Sequence, residues 1–265
     1  MSLSHFTKVA GTLIDAIFDK PPFTLSGNLL APPLTKNYST VGTAFNYAMA
    51  LQLLNFNRDL IKDFPLLADA GVKGDKKRKQ FLKDFGQRKE AFLRGQLGIT
   101  ELMPDCMVLA RLENVARSGR DFSNSEIFDT AEDDIKDLQC LVKLVDRTSF
   151  TATRRCILNP TFGRSSLDLG GADADFIIDD ALIEIKTTKF LEFKREHFRQ
   201  LMGYYILNSR EHNMYGKLEK LGVYFSRFGK LLAFPIPMMR WEEKDAWEMI
   251  ETIIEEYKQA LVNYV

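Results

Sequence analysis

A mixed α/β fold is what this sequence predicts: a β-sheet core in the second half of the chain, flanked by helices and carrying a largely helical N-terminal half. Three observations lead there. Segments with apolar residues at helical spacing fill residues 38–147. From about Thr148 the texture changes to short β-branched and aromatic runs bounded by Asn, Gly and Pro. One helical segment then interrupts these runs and another closes the chain, which is the element order of an α/β core.

Taken in order, residues 1–37 read as an arm or loosely packed cap. Pro21-Pro22 and Pro32-Pro33 punctuate it, with one short helix around Val9 to Phe18. Ser39 to Phe56 is a clearer helix, because Phe45, Met49, Leu53 and Phe56 share a stripe and Gly42 sits near its start. Further helices are expected at about Lys76 to Leu97, Glu101 to Ser118 and Ser125 to Val145, with turns such as Ser118-Gly119-Arg120-Asp121 between them. Strands are expected at Phe150 to Leu158 and, past the Asn159-Pro160 break, at Ser165 to Leu169. Two more lie within Gly170 to Lys186, followed by a helix at about Lys194 to Ser209. Leu221 to Ser226 and Leu231 to Phe234 flank Arg227-Phe228-Gly229-Lys230 as a second hairpin, and Trp247, Ile250, Ile254, Tyr257, Leu261 and Tyr264 form the stripe of a closing helix. The chain divides accordingly into an arm (1–37), a helical region (38–147) and a core with its closing helix (148–265).

The stretch from Gly170 to Lys186 is where chemistry concentrates. Asp179-Asp180 at a two-residue turn makes paired positions sum to 359, which sets Asp175 opposite Glu184 and Asp173 opposite Lys186. Asp173, Asp175, Ile177, Leu182, Glu184 and Lys186 then share one face, while Phe176, Ile178, Ile183 and Ile185 make the other wholly apolar. Directly opposed carboxylates repel unless a cation or a proton intervenes, and a divalent metal removes the conflict. Asp173 either pairs with Lys186 across the hairpin, the favoured reading, or holds a second metal. Gln200 and Tyr204, four apart on the following helix, point at a common site.

At these residues the chain resembles the PD-(D/E)XK nuclease superfamily, whose core hairpin carries an aspartate and then Glu-x-Lys, here Asp175 and Glu184-Ile185-Lys186. Gln200-x-x-x-Tyr204 is similar to the signature of its RecB-like branch. The resemblance implies a restriction-endonuclease-like core and a nuclease dependent on Mg²⁺ or Mn²⁺ that hydrolyses phosphodiester bonds. It implies Asp175, Glu184 and the backbone carbonyl of Ile185 as metal ligands, Lys186 as the group that positions or activates water, and Gln200 and Tyr204 as supporting or substrate-positioning groups. Lys189, Lys194, Arg195 and Arg199 are candidates for contacts to a nucleic-acid backbone or, equally, solvated surface charge. RecB-like nucleases often carry Gly-x-x-x-His where this chain has Gly42-Thr43-Ala44-Phe45-Asn46. Asn46 is therefore a neutral candidate ligand or, the favoured reading, a structural group on the helix flank. Glu113 and Glu126 are weaker candidates for a further carboxylate, and His197 reads as a helix-surface histidine. DNA is the expected substrate and exonuclease the expected action, with an endonuclease, a noncatalytic nucleic-acid-binding protein or a Ca²⁺-binding interaction module as alternatives.

Composition narrows the field. A chain of 265 residues with 45% hydrophobic and 27% charged residues is ordinary globular material. No apolar run reaches membrane-spanning length and the first residues lack the pattern of a signal peptide, so the expectation is a cytoplasmic protein without a membrane. Three distant cysteines, Cys106, Cys140 and Cys156, cannot supply the four ligands of the iron–sulfur cluster found in some RecB-like relatives. Net charge is zero, but Lys73 to Arg94 holds nine bases against three acids and Asp121 to Asp146 eight acids against two bases. An oligomer, such as a ring suited to a processive exonuclease, is compatible with the sequence.

Overall fold

The computed structural model describes residues 3–262, leaving aside the side chains of residues 4, 261 and 262. Its centre is a five-stranded mixed sheet in the order β1 (Cys156–Leu158), β2 (Phe176–Ile178), β3 (Ala181–Lys186), β4 (Lys220–Phe225) and β5 (Lys230–Pro235). Neighbouring strands are antiparallel except β3 and β4, which are parallel. Parallel neighbours need a crossover, and the helix Arg195–Arg210 supplies it.

The hairpin register is the one the turn dictates: Phe176 faces Ile183, Ile177 faces Leu182 and Ile178 faces Ala181. Asp179 adopts φ 51°, which Asp tolerates better than bulkier residues. Its carboxylate accepts from the backbone N–H groups of Thr153, Arg154 and Arg155 at 3.1, 2.6 and 3.2 Å. Burial acts against this anion, yet the amide donors prevail and hold its carboxyl below the ordinary range.

Both faces of the hairpin are covered. Phe176, Ile178, Ile183, Ile185 and Tyr224 pack into one core with the N-terminal helices, while Ile177, Leu182, Leu221, Val223 and Phe225 pack into a second. In chain order the helices are α1 (Leu3–Val9), α2 (Gly11–Ile17), α3 (Tyr38–Phe56), α4 (Lys76–Leu93), α5 (Met103–Ser118), α6 (Asn124–Phe128), α7 (Glu132–Val142), α8 (Gly163–Asp168), α9 (Arg195–Arg210) and α10 (Glu243–Val262). Helices α3, α5 and α7 cover the first face; α1, α2, α9 and α10 cover the second. Local signals set several ends. Asp75 caps α4 by accepting from Arg78 N–H at 2.9 Å, and α5 stops where Gly119 turns left-handed at φ 69°.

Several boundaries differ from the sequence reading for physical reasons. The segment expected as a strand at Ser165 to Leu169 is the helix α8: Phe162, Ser165, Ser166 and Leu169 are buried at helical spacing, while Leu167 is 77% exposed. The expected helix Ser125 to Val145 breaks at Asp129–Ala131 into α6 and α7, each with acids in its first turn. Phe150 to Leu158 yields only the short β1, preceded by a 3₁₀ turn at Arg147–Phe150. The four-residue β4–β5 loop is Ser226–Gly229, one residue earlier than expected.

Far from loose, the first helices are buried through Phe6, Ile14, Ile17 and Phe18, with Phe6 edge-on to Tyr257 of α10. In the closing helix Ile250, Ile254 and Tyr257 are buried; the side chain of Leu261 and all of Tyr264 lie outside the described residues. Deepest among the ion pairs is Arg227 with Asp137, at 2.8 Å and with 1% and 0% of the side chains exposed. The same guanidinium donates to Ala31 C=O, tying the β4–β5 loop, α7 and the proline-rich segment together. The basic and acidic runs meet only in part: Arg78 pairs with Asp121, whereas Asp134 and Asp137 take Arg111 and Arg227. Among the described residues no helix is long and apolar enough to cross a membrane.

Candidate active site

Strand β2 begins just after Asp175 and β3 ends at Lys186, so the hairpin presents its charged residues at the open end of the sheet, opposite the turn. Deeper along the same strands, Ile177 and Leu182 are fully buried against α9. Charge is therefore tolerated only where the strands run out. There a cleft of about 360 Å³ opens, lined by Asn46 of α3, Glu113 and Arg117 of α5, Asp175, Glu184 and Gln200 among others.

Asp175 is held from two sides. Its Oδ2 accepts from Ile185 N–H at 2.6 Å and its Oδ1 from Asn46 Nδ2 at 2.9 Å. It retains some exposure at the cleft, yet protein crowds it on its other sides. Loss of solvation first, and the neighbouring charge of Glu184 second, raise its carboxyl well above the usual carboxylate range. Glu184 is 8% exposed, and its Oε1 accepts from Lys186 Nζ at 2.9 Å and from Gln200 Nε2 at 3.0 Å. Gln200 returns the favour to the lysine, its Oε1 accepting from Nζ at 2.8 Å.

Tyr204, one turn further along α9, accepts from Gln200 Nε2 at 3.0 Å and donates to the Asp173 backbone carbonyl at 2.8 Å. Burial, then Glu184 and Asp175, push its phenol far above the ordinary tyrosine value, so it stays a donor. The five expected catalytic residues, Asp175, Glu184, Lys186, Gln200 and Tyr204, are thus linked to one cleft.

Other expectations come out differently. Asp173 does not pair with Lys186. It leaves the hairpin to form a bridge with Thr161, and its Oδ2 accepts from Arg117 Nη2 at 2.8 Å. Lys186 is taken instead by Glu184, two residues away on the same face. Arg195 and Arg199 both reach Asp15 of α2, at 2.8 and 2.5 Å, and Arg195 stays 58% exposed. Lys189 and Lys194 are exposed, and Lys189 Nζ stands 5.3 Å from the Phe190 ring centroid. His197 does not line the cleft; it lies between Phe193 and Phe225, with ring centroids 6.3 Å from each. Glu126 caps α6 through Ser123 and takes no part in the cleft.

Glu113 and Arg117 complete the far wall. Arg117 Nε donates to Glu113 Oε1 at 2.7 Å, and Tyr47 OH donates to Glu113 Oε2 at 2.7 Å. Their spacing of four on α5 was visible in the sequence, but nothing local tied it to Asp173, 56 residues away from Arg117. Ser39, Thr40 and Thr43 at the start of α3 line the same cleft and carry no sequence signal of their own.

Among the described residues no group of three or more His, Cys, Asp and Glu side chains is arranged to hold a metal ion. The carboxylates lining the cleft are Glu113, Asp173, Asp175 and Glu184; Arg117 pairs with the first two, which leaves Asp175 and Glu184, with Asn46 beside Asp175, as the donors for a cation. Such a donor set fits a small hard cation, since Mg²⁺ is commonly bound by one or two carboxylates with water and substrate phosphate filling its remaining positions. It fits zinc or an iron–sulfur cluster poorly, because Cys106 and Cys156 are buried, with burial first among the causes that raise both thiols, and neither lines the cleft. Comparison of the chain with family models, with curated proteins and with solved structures found no match.

Proposed function

We propose that this chain is a metal-dependent nuclease that hydrolyses phosphodiester bonds, with DNA as substrate and exonuclease as its action. One observation carries the reading: Asp175, Glu184 and Gln200 line one cleft at the open end of the β2–β3 hairpin, and Lys186 is hydrogen-bonded to both Glu184 and Gln200. The residue types and their order are those of the PD-(D/E)XK resemblance. The exonuclease direction follows from that resemblance and from no residue of the site.

Asp175, Glu184 and the carbonyl of Ile185 would hold Mg²⁺ or Mn²⁺, with Asn46 steadying Asp175. A bound divalent ion acidifies water and acts as a Lewis acid toward a phosphoryl oxygen. Lys186 supplies the positive charge that a pentavalent phosphate needs, and its two acceptors fix where that charge sits. Gln200 holds Lys186 and Glu184 at a fixed separation, and Tyr204 anchors Gln200 to the backbone of Asp173. Arg117, 55% exposed at the rim, pairs with Glu113 and Asp173 and would meet an incoming phosphate only in exchange for one of them.

The test is cleavage of end-labelled linear DNA and covalently closed circular DNA with Mg²⁺, Mn²⁺ or EDTA, using wild type and Lys186→Ala in parallel. Metal-dependent loss of linear DNA alone, abolished by the substitution, supports the exonuclease. Cutting of the circle replaces it with an endonuclease. DNA binding without cleavage under any metal sinks the catalytic reading in favour of a noncatalytic binder.

A further inference from the structure

On the other side of the first turns of α3 lies a second depression of about 250 Å³, lined by Pro33, Tyr38, Thr187, Thr188, Lys189 and Phe190. Its two rings are largely exposed, Tyr38 at 52% and Phe190 at 57%; among the described residues neither stacks on another ring, and Lys189 Nζ stands over one face of Phe190 at 5.3 Å. Most aromatic side chains of this protein are buried in its two cores, so two exposed rings beside one hollow call for an occupant. Arg227 also borders the hollow, but its guanidinium is spent on Asp137. Lys189 is the cation left to meet a ligand there.

The depression neighbours the catalytic cleft, the two being separated where α3 meets Thr187. Tyr38 immediately precedes Ser39 and Thr40, which line the cleft, and Thr187 immediately follows Lys186. The two walls touch, since a Cβ at Gly42 of α3 would lie 3.6 Å from Thr187 Cβ. From Lys186 to Lys189 the chain spans at most about 11 Å. Stacked nucleotides of one strand are separated by about 3.4 Å, so a strand in the cleft brings a base over the hollow within about three nucleotides.

Resting on the nuclease reading above, we propose that this depression is a base-stacking subsite for an unpaired nucleotide of a single strand whose backbone lies in the catalytic cleft. Tyr38 and Phe190 offer the faces on which the base stacks, and Lys189 meets an adjoining phosphate. Aromatic rings interleaved with basic groups are the general means of holding single strands without reading sequence. A paired base is stacked inside its duplex and does not enter a hollow of this size, so the substrate class is single-stranded nucleic acid or an unwound end.

The experiment uses the full chain in EDTA and a fluorescent oligothymidylate of about twelve nucleotides, within the span of known single-strand sites, beside an abasic strand of equal length. Fluorescence anisotropy is titrated for wild type, Phe190→Ala, Tyr38→Ala and Phe190→Trp, with light scattering and a melting curve on each variant. Expected is a loss of affinity of roughly five- to 150-fold for either alanine variant on oligothymidylate, the range that base–aromatic stacking commands. The dependence on salt should be unchanged, the abasic strand indifferent to the substitutions, and Phe190→Trp close to wild type. Unchanged affinity in the alanine variants, with wild type still cleaving DNA, overturns the subsite and leaves the nuclease standing. A shift in oligomeric state on Phe190→Ala overturns it in favour of an interface between protein chains. A wild type that neither binds nor cleaves nucleic acid overturns the nuclease reading, and the subsite with it.

Discussion

Replacing Lys186 by Met keeps much of the side chain's length and removes only its charge, which makes it the sharpest probe of the site's electrostatics. The ammonium lies 2.9 Å from Glu184 Oε1, with 23% and 11% of the two side chains exposed. At an effective dielectric of 20 that separation corresponds to about 6 kcal/mol of gross attraction, most of which offsets the cost of taking both charges out of water. Without the lysine, Glu184 stands beside Asp175 with its nearest compensating charge gone. Breaking a fully buried pair costs about 3–5 kcal/mol; for a pair that opens on a cleft the expected loss is about 2–3 kcal/mol, or a fall in Tm of about 4–5 °C for a chain of this size. The assay is thermal and urea unfolding followed by circular dichroism in EDTA, and again with excess Mg²⁺. A cation in the cleft should recover part of the loss, as should a second substitution, Glu184→Gln, which removes the stranded charge. A Lys186→Met protein that melts with wild type in EDTA, or a double variant whose losses simply add, refutes this account of the site.

Asn46→Ala removes a group that steadies Asp175, and DNA cleavage should fall about 10- to 100-fold, the usual cost of losing a hydrogen-bond partner of a metal ligand; a rate within twofold of wild type would assign Asn46 to structure alone. Arg227→Met strands the buried Asp137 carboxylate and should cost about 3–5 kcal/mol in urea unfolding, whereas the double variant with Asp137→Leu should recover much of it. His197, desolvated between Phe193 and Phe225 and facing the charge of Lys186, has its imidazole held down to about 4 from 6.5. The unfolded chain therefore takes up a proton first as pH falls: this contribution to stability is complete above pH 6.5 and is lost toward pH 4. Allowing for the solvent that reaches the half-buried ring, the loss should be about 1–2 kcal/mol, and His197→Phe should flatten that part of the stability curve.

What the sequence disclosed best was local. The hairpin register followed from one turn and the two-residue period, and the four-residue spacing of Gln200 and Tyr204 on α9 was enough to bring both to Glu184 and the backbone of Asp173. Misreadings arose where burial had to be known first. Ser165 to Leu169 alternates like a strand until Leu167 proves to be exposed and Ser166 buried. Nothing in the sequence announced that α2 delivers Asp15 to Arg195 and Arg199 from 180 and 184 residues away. Asp173 was assigned to Lys186 by extending a ladder that ends at Phe176 and Ile183. Beyond the ladder the chain bends toward Thr161, and a period of two no longer says which way a side chain points.

The wiring of the cleft also fixes an order in which it can be built. Gln200 reaches Glu184 across 16 residues of chain, whereas Asn46 reaches Asp175 across 129. In a flexible chain the longer loop costs about 2 kcal/mol more entropy to close than the shorter one. During refolding of the whole chain, the hairpin and its crossover helix are thus entropically favoured to find each other first. The wall from α3 and α5 must then dock onto a cluster of carboxylates and lysine already in place. On the nuclease reading, DNA cleavage should accordingly return only once that wall has docked, and the cleft would double as a reporter of complete assembly.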